Sequence, residues 1–543
     1  MSTLAKKQDR WVARSVVVST SGVVASESSL ASQAAAVILA QGGNAVDAAV
    51  AANAVLGVVA PHSNGLGGDL FAIVYEAATG KYIGLNASGW SPAGLSVAWM
   101  QQRGMTEIPK KGIHSVSVPG VVDGWEKLLH RFGSRNFEQV LAAAIHFAED
   151  GFPVAERSAM RWQENAHELI GEAQSSFLPD GRAPRFGEVF RSPGLARSLR
   201  SIARDGSQAF YQGEIAERIL ELSQAEGGLF TREDLSEFSS EWVEPITTTY
   251  RGWTVHELPP NGAGIAALSM LNIMENFPLR EYGANSASAL HHMIEAKKLA
   301  YADMLRYVCD PGHAAIPVEH ILSKSYAAQR AALIEPDKAC AAARPGQFLE
   351  PGGDTVYLSV ADRHGNVVSL IQSNYMNFGS GLEARGTSFL LQNRANLFSA
   401  DPSHPNVAAG RKRPLHTIIP AFLSKEDQII AFGIQGGWNQ SQAHAQFVSN
   451  IVDHDMTIQE AIEAPRFTKA TFDGFDIQVE ARIPLEIQRE LEAKGHQVKQ
   501  EGAFSEIMGG GQAVLCDRAA GVNYGASDPR KDGSAIPEPH AAL

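Results

Sequence analysis

The sequence predicts an α+β fold, and three of its features indicate this class. Helical patterns dominate from residue 137 to residue 308. Residues 336–353 are rich in Ala, Pro and Gly, which is typical of an exposed linker. From Thr355 onward apolar and polar residues alternate, as they do in half-buried strands. We therefore expect a helix-rich long segment, a linker and a strand-rich short segment.

The composition excludes several classes of partner. The 543 residues carry a formal net charge of −13, which disfavours nucleic acid and anionic membranes as partners. Three cysteines without a CxxC pair support neither a disulfide framework nor a thiolate metal site. The 17 histidines are scattered, so no metal and no cofactor is predicted. A small-molecule or peptide substrate is the remaining expectation.

The first elements are predicted by helical spacing and by capping residues. The start has no uninterrupted apolar run, so we interpret it as a short tail and expect a cytoplasmic protein. Residues 29–40 form a helix that stops at Gly42-Gly43, and Asn44 is a good N-cap for the next helix. That Ala-rich helix is too short to span a membrane and carries Asp47.

A strand at residues 70–76, a Thr79-Gly80 turn and a returning strand follow. A short strand then ends at Pro119-Gly120 and precedes a helix. Three further helical patterns and one strand-like stretch complete the long segment: "FEQVLAAAIHFAEDG", "EIAERILELSQAEGG", "SASALHHMIEAKKLAYADMLRYV" and "YRGWTVHELPPNGAG".

The short segment opens with a hairpin. Residues 355–362 and 367–373 alternate on either side of "RHGN". Further strands are predicted at residues 387–391, 429–433 and 475–479, and helices at residues 440–453 and 483–494.

Thr355 directly follows Gly-Gly-Asp, and two interpretations are open. It begins an ordinary strand, or it becomes a new N-terminus after the chain is cut before it. In the second case its own α-amine, with a reference pKa near 8, accepts the hydroxyl proton and activates the nucleophile.

Many separate motifs make the chain resemble the γ-glutamyltranspeptidase family of N-terminal nucleophile hydrolases. They include "NGLGGDLF", "SVPGVVDGW", "TVYLSVADRHGN", "NFGSG", "GTSFLLQNRANLFS", "GRKRPLHTIIP", "GIQGGWNQ" and "YGASDPRKDGSA". The resemblance implies a four-layer αββα sandwich and a precursor that cleaves itself between Asp354 and Thr355. Residues 1–354 and 355–543 would then be the large and small subunits of one αββα unit.

The resemblance also assigns roles to single residues. Thr355 aligns with the nucleophile, and Ser373 with the hydroxyl that hydrogen-bonds to it. Gly436 and Gly437 align with the pair whose backbone N–H groups form the oxyanion hole.

The substrate anchors of the family are replaced in this chain. Ser88 stands where the family has the Arg that binds the substrate α-carboxylate, and Leu397 where it has the Asp for the α-amine. Tyr375 replaces an Asn, and His416-Thr417 replaces a Ser-Ser pair. Arg394 is either a replacement cation for an acidic substrate or a surface arginine.

These observations leave three hypotheses for the function. The first is a γ-glutamyl amide hydrolase or transpeptidase that forms an acyl ester on Thr355. The second is an amidohydrolase or acylase for a small non-glutamyl amide, such as oxamate or a glutaryl amide. The third is an unprocessed relative that acts as a binding protein.

Overall fold

The computed structural model describes residues 11–342 and 354–540. The first ten residues of the predicted tail and residues 343–353 of the predicted linker lie outside the described part.

The strands are β1 (Val17–Ser19), β2 (Val23–Ser26), β3 (Asp69–Glu76), β4 (Lys81–Ala87), β5 (Phe152–Pro153), β6 (Val189–Phe190), β7 (Glu241–Val243), β8 (Ile246–Tyr250), β9 (Trp253–Glu257), β10 (Asp354–Ala361), β11 (Val367–Tyr375), β12 (Ala421–Lys425), β13 (Gln428–Ile434), β14 (Phe467–Thr468), β15 (Asp476–Glu480), β16 (Gln497–Glu501), β17 (Gly511–Asp517), β18 (Val522–Ser527) and β19 (Ser534–Pro537). The helices are α1 (Ser29–Ala40), α2 (Ala45–Val59), α3 (Val97–Gln102), α4 (Val121–Phe132), α5 (Phe137–Asp150), α6 (Glu156–Asn165), α7 (Glu172–Phe177), α8 (Pro193–Asp205), α9 (Ser207–Tyr211), α10 (Glu214–Ala225), α11 (Arg232–Ser236), α12 (Gly264–Met274), α13 (Leu279–Tyr282), α14 (Ala287–Tyr307), α15 (Val318–Ile321), α16 (Lys324–Ala331), α17 (Gln440–Val452), α18 (Ile458–Glu463) and α19 (Leu485–Ala493).

Two antiparallel sheets form the centre of the molecule. Sheet I has the strand order β19-β2-β10-β11-β3-β4-β7, and sheet II has the order β1-β18-β17-β13-β12-β9-β8. Each sheet contains strands from both sides of residue 354, so neither the long segment nor the short segment forms a sheet by itself. The β10–β11 hairpin confirms the hairpin predicted at the start of the short segment.

The hydrophobic core has three layers, because alternate residues of each strand point to opposite faces. Phe71, Tyr357 and Ile371 of sheet I pack between the sheets against Phe422 and Ile429 of sheet II. The outer face of sheet I packs on α1, α2 and α4, with α5 packed on α2 and α8 on α5. The outer face of sheet II packs on α12, α17 and α18, with α14 packed on α12. The fold is therefore the αββα sandwich that the resemblance implies.

Local capping chemistry explains why the helices start where the sequence predicts. The Asn44 side chain accepts hydrogen bonds from Val46 N and Asp47 N, and the Asp47 carboxylate accepts one from Asn44 N, forming a capping box. The helix that follows, α2, is buried along almost its whole length, which accounts for its small apolar residues. Within the described residues, no helix is both long and apolar enough to cross a membrane.

Two predicted strands are wrong. Residues 387–391 make single bridges from Leu390 to Glu383 and from Leu391 to Gly67, because Ser388 has a φ of 52° that no strand accommodates. Their apolar character reflects burial against the helices. Residues 115–118 run beside Trp90, whose carbonyl accepts a bond from Val118 N, without joining a sheet.

The predicted N-terminal tail is also corrected. Val17–Ser19 pairs with β18 in sheet II, and Val23–Ser26 pairs with β10 and β19 in sheet I. These strands have three and four residues, so a period of two is hardly visible in the sequence. They join the two sheets rather than preceding the fold.

Candidate active site

The candidate site lies between the two sheets at one end of the sandwich. Sheet I brings the start of β10, the end of β11 and the start of β3 to this end, and sheet II the end of β13. Thr355, Ser373 and Asp69 lie on the face of sheet I that is turned toward sheet II. They share that face with Tyr357, Ile371 and Phe71 by strict alternation.

Thr355 is the second residue of β10 and is almost fully buried. The β10–β11 register shifts here: Asp354 pairs with Tyr375, but Val356 pairs with Gln372. β11 thus carries one extra residue opposite Thr355, a bulge of the kind that redirects side chains beside functional sites. Thr355 Oγ1 donates to Ser373 Oγ at 3.3 Å, which brings together the two hydroxyls predicted from the sequence.

Tyr375 lies immediately beyond the bulge in a left-handed conformation, with a φ of 76°. This backbone region is unfavourable for an aromatic residue. Ser373 Oγ accepts a hydrogen bond from Tyr375 N at 2.7 Å and so holds this turn in place. Burial raises the pKa of the Tyr375 hydroxyl to about 12, so the phenol stays protonated at neutral pH.

The turn after β13 faces Thr355 from sheet II. Gly436 has a φ of 131° and Gly437 a φ of 56°, and a 3₁₀ turn from Gly437 to Asn439 leads into α17. Only glycine adopts the first conformation readily. Within residues 11–342 and 354–540, neither glycine N–H donates to a backbone carbonyl. Two adjacent amides are thus available to an oxygen in this space.

Gln440, the first residue of α17, connects this turn to Thr355. Its Nε2 donates to Thr355 Oγ1 at 3.5 Å, and its Oε1 accepts from Ile419 N at 3.1 Å. The sequence analysis did not single out Gln440, although it is the last residue of the quoted "GIQGGWNQ".

Arg394 forms a buried ion pair with Asp69. Its Nε lies 2.9 Å from Asp69 Oδ2, and both side chains are fully buried. Its Nη1 donates to Thr417 Oγ1 at 2.8 Å, and its guanidinium stacks on the Tyr375 ring. The surface alternative for Arg394 is therefore wrong, and its charge is balanced by a carboxylate that the sequence analysis did not consider.

His416 adjoins the same carboxylate. Its Nε2 lies 3.1 Å from Asp69 Oδ2, and its Nδ1 lies 2.7 Å from Pro414 O and 3.1 Å from Asn261 Nδ2. Burial and the Arg394 guanidinium lower the pKa of His416, outweighing the effect of Asp69. Burial alone would raise the pKa of Asp69, but Arg394 and His416 hold it below its usual value. At neutral pH the cluster is thus an ionised pair beside a neutral imidazole.

Ser88 belongs to a neighbouring network of amides. Its hydroxyl donates to Asn86 Oδ1 at 2.6 Å, and Asn261 Nδ2 lies 3.2 Å from the same hydroxyl and 2.8 Å from Pro414 O. Asn86 and Asn261 also line a cavity of about 330 Å³, together with Arg413 and Asp310. Ser88 therefore lies between the His416 cluster and an open space.

Leu397 is part of an apolar wall. It packs in one buried cluster with Tyr375, Leu415, Ile419 and Trp438. Trp438 directly follows the glycine turn, and Tyr375 follows Ser373 by two residues. The position of the family's amine-binding Asp is thus surrounded by hydrocarbon and aromatic rings.

A separate group of potential metal ligands lies away from this site. His291, Glu295 and His496 are buried, with ligand atoms within 4.8 Å of one another. The Lys298 ammonium already pairs with Glu295 Oε1 at 2.7 Å, and a divalent cation would be repelled by it. We assign no metal to this group.

The comparisons with known proteins agree with this geometry. The family described as gamma-glutamyltranspeptidase matches residues 31–538. The glutathione hydrolase-like YwrD proenzyme of Bacillus subtilis (strain 168) is 38% identical, over 96% of this chain and 99% of that protein. The oxamate amidohydrolase proenzyme of Klebsiella pneumoniae subsp. pneumoniae is 34% identical, over 95% and 98%. The crystal structure of cephalosporin acylase from Bacillus halodurans superposes with a TM-score of 0.91 at 40% identity, covering 99% of both chains.

Proposed function

Because the chain belongs to the γ-glutamyltranspeptidase family, we propose that it is a self-processing amide hydrolase that forms an acyl ester on Thr355. One observation carries the proposal. Thr355 Oγ1, Ser373 Oγ and Gln440 Nε2 meet at the start of β10, facing a glycine turn with two available amides. This is the set of groups that acyl transfer requires: a nucleophile, a partner that orients it and donors for the oxyanion.

Maturation is the first step of the proposed mechanism. Thr355 Oγ1 attacks the carbonyl carbon of Asp354, the peptide becomes an ester, and water releases residues 1–354 from residues 355–543. Two of the most similar relatives are named proenzymes, which supports a processed precursor. The cut leaves Thr355 with a free α-amine.

The catalytic cycle then uses that amine as the base. It accepts the hydroxyl proton while Oγ1 bonds to the amide carbon, and the carbonyl electron pair moves to the oxygen between the Gly436 and Gly437 N–H groups. Each such donor is worth about 3–4 kcal/mol of barrier. The protonated amine next donates its proton to the departing nitrogen, and water hydrolyses the acyl-Thr355 ester.

The nature of the acyl group is the finer part of the proposal. A buried substrate ammonium would find Leu397 and Tyr375 where the family has an Asp and an Asn, and burying a charge without its partner costs about 2–5 kcal/mol. Arg394 is already paired with Asp69. We therefore favour an acyl group without an α-amine, such as a glutaryl or oxalyl group, over γ-glutamyl.

Initial rates with three amides test this preference. Glutaryl-p-nitroanilide, γ-glutamyl-p-nitroanilide and oxamate are compared at equal concentrations. We expect kcat/KM for the glutaryl amide to exceed that for the γ-glutamyl amide by roughly 30-fold or more, the equivalent of about 2 kcal/mol. A preference for the γ-glutamyl amide would establish the first hypothesis instead.

The alternative of an unprocessed binding protein is tested on a denaturing gel. A processed enzyme gives two bands, whereas a single band at 58.2 kDa without amidase activity would support the alternative. Thr355→Ala is the matched control, because it lacks the nucleophile and is expected to stay as one inactive chain.

A further inference from the structure

The carboxamide of Asn439 is a buried polar group without a protein partner. Only 6% of Asn439 is exposed, and among the residues that the structure describes neither its Oδ1 nor its Nδ2 meets a hydrogen-bond partner. Buried amides are normally paired. The next two amides of α17 follow this rule, since Gln440 bonds to Ile419 N and Gln442 to Lys469 O. Asn439 is thus the exception at the start of this helix.

The position of Asn439 relates this unpaired amide to the glycine turn. Its backbone N donates to Gly436 O at 3.0 Å. Its Nδ2 lies 3.6 Å from the point that a Cβ on Gly436 would occupy, and 3.1 Å from the corresponding point on Gly509. The carboxamide therefore lies against the Gly436 backbone, and the following residue reaches Thr355 Oγ1.

The surrounding residues keep this space free of side chains. Gly436 and Gly509 both have positive φ, and a Cβ on Gly509 would stand 2.0 Å from Gln435 O. The Gln435 Oε1 is buried and has no partner among the described residues either. The unpaired carboxamide and the two available amides thus belong to one turn, and the residue that follows this turn reaches Thr355 Oγ1.

We propose that Asn439 Nδ2 donates a third hydrogen bond to the carbonyl oxygen of the bound amide as Thr355 attacks it. This inference rests on the proposed function. In the addition step the Thr355 Oγ1–carbon bond forms and the carbonyl π pair moves to the oxygen. Asn439 then shares a hydrogen with that oxygen and transfers no proton. A carboxamide suits this role because it is a neutral donor at every pH at which the protein is folded.

Steady-state kinetics of Asn439→Ala and Asn439→Asp test the proposal. We expect Asn439→Ala to lower kcat by about 100-fold or more, with KM within about threefold of wild type, because an oxyanion donor acts in the transition state. Asn439→Asp has almost the same shape, but above the pKa of the new carboxyl it has no donor and repels the developing charge. We expect it to lose more activity than Asn439→Ala.

Asn450→Ala is the matched control. Asn450 is a buried asparagine on the same helix whose Nδ2 is paired with Ala461 O, and it lies outside the site. We expect it to keep the wild-type kcat and to mature normally. If both Asn439 variants fail to mature, the Tm of each variant is compared with that of wild type. Tm values equal to wild type indicate that the attack of Thr355 on Asp354 is defective, which supports the proposal. Lowered Tm values indicate a loss of folding stability and overturn the proposal.

The pH dependence supplies a readout that a purely structural role would not change. The ratio of the Asn439→Asp kcat to the wild-type kcat should rise as pH falls, because the protonated carboxyl regains an O–H donor. Both proteins use the Thr355 α-amine as the base, so the effect of its titration on kcat is removed when the ratio is taken. A wild-type kcat in Asn439→Ala, a loss confined to KM, or a ratio that does not change with pH would overturn the inference. A wild-type protein that neither matures nor cleaves an amide would instead refute the proposed function.

Discussion

At the scale of single residues, the hydrogen bond between Thr355 and Ser373 is the contact with the most direct chemical consequence. Ser373 Oγ accepts from Thr355 Oγ1 and from Tyr375 N. Ser373→Ala removes both bonds and leaves Tyr375 N unpaired. We expect maturation and kcat each to fall by roughly tenfold, equivalent to about 1.4 kcal/mol.

The time course of processing on a denaturing gel measures this effect. Ser373→Thr keeps the hydroxyl and is expected to process much faster than Ser373→Ala. Equal processing rates for Ser373→Ala and wild type would remove Ser373 from the site.

The Asp69–Arg394 pair gives a second prediction at this scale. Asp69→Asn leaves the Arg394 guanidinium buried without a counter-charge, which typically costs about 3–5 kcal/mol. Asp69→Asn combined with Arg394→Met removes both charges and should recover a large part of that loss. Urea denaturation of the single and double variants measures the coupling.

An exposed pair serves as the control for this experiment. Arg280 and Asp455 also form an ion pair, but both side chains are more than half exposed. Asp455→Asn is therefore expected to change stability far less than Asp69→Asn. Similar losses in the free energy of unfolding for the two variants would show that the buried pair contributes no more to stability than an exposed pair does.

Sequence motifs identified Thr355, Ser373 and the two glycines, and the structure brings these residues to one end of the sandwich. Asp69 was not identified, because its partner Arg394 is 325 positions away in the sequence and nothing local links them. The same holds for Gln440, whose contact with Thr355 spans 85 positions. A local pattern indicates a residue type but does not indicate which distant group will neutralise it.

At the scale of elements, α17 is attached to the end of β13 by His444. Its Nε2 accepts from Ile434 N at 3.1 Å, and its Nδ1 donates to Glu257 Oε1 at 2.9 Å. Burial lowers the pKa of His444 to about 3, and burial raises the pKa of Glu257 well above its usual value. The imidazole of His444 is therefore neutral at pH 7, and the glycine turn follows directly after this attachment.

The pH dependence of stability tests this attachment. The pKa of His444 is lower in the folded chain than in the unfolded one, near 6.5. The unfolded chain therefore takes up the proton first, and the contribution of His444 is lost as pH falls from about 6.5 toward 3. His444→Gln cannot titrate, so we expect the advantage of wild type over this variant to shrink by about 1.4 kcal/mol per pH unit below pH 6. Parallel stability curves would contradict this account.

Helix α14 supports the glycine turn from the other side. The Tyr301 hydroxyl donates to Trp438 O and accepts from Gln442 N. Tyr301→Phe should loosen the turn and lower kcat by roughly fivefold, the equivalent of one lost hydrogen bond of about 1 kcal/mol, with little change in KM.

Tyr250→Phe is the control for this variant. Tyr250 is also buried, and its hydroxyl bonds to Asp453 at the far end of α17. We expect it to lower stability without changing kcat. A kcat for Tyr301→Phe equal to that of Tyr250→Phe would contradict a positioning role for Tyr301.

Helices could be predicted from the sequence better than strands, because their signals are local. The cap at Asn44 and the periodicity of α5 and α10 lie within one element. Strand pairing depends instead on distant residues: β2, with only four residues, lies between β10 and β19. The strand predicted at residues 387–391 was wrong because an apolar run indicates that a segment is buried but does not indicate that it pairs with another strand.

At the scale of the whole molecule, the two sheets interleave strands from both sides of residue 354. β2 and β3 of the long segment flank the β10–β11 hairpin in sheet I, and β9 pairs with β12 in sheet II. We therefore expect the cleaved protein to stay associated, because separating the segments would expose both sheet cores.

Size-exclusion chromatography tests this expectation. The processed protein and Thr355→Ala should elute at the same volume in native buffer, although a denaturing gel separates the first into two bands. Separate elution of the two segments without denaturant would contradict a single shared fold.

The most direct test of the central claim is the intact mass of the purified protein before and after reaction with a slowly hydrolysed amide. The account predicts two chains, of which the smaller begins at Thr355 and gains the mass of the acyl group. An active protein that remains one 58.2 kDa chain, or an acyl group attached to another residue, would contradict it.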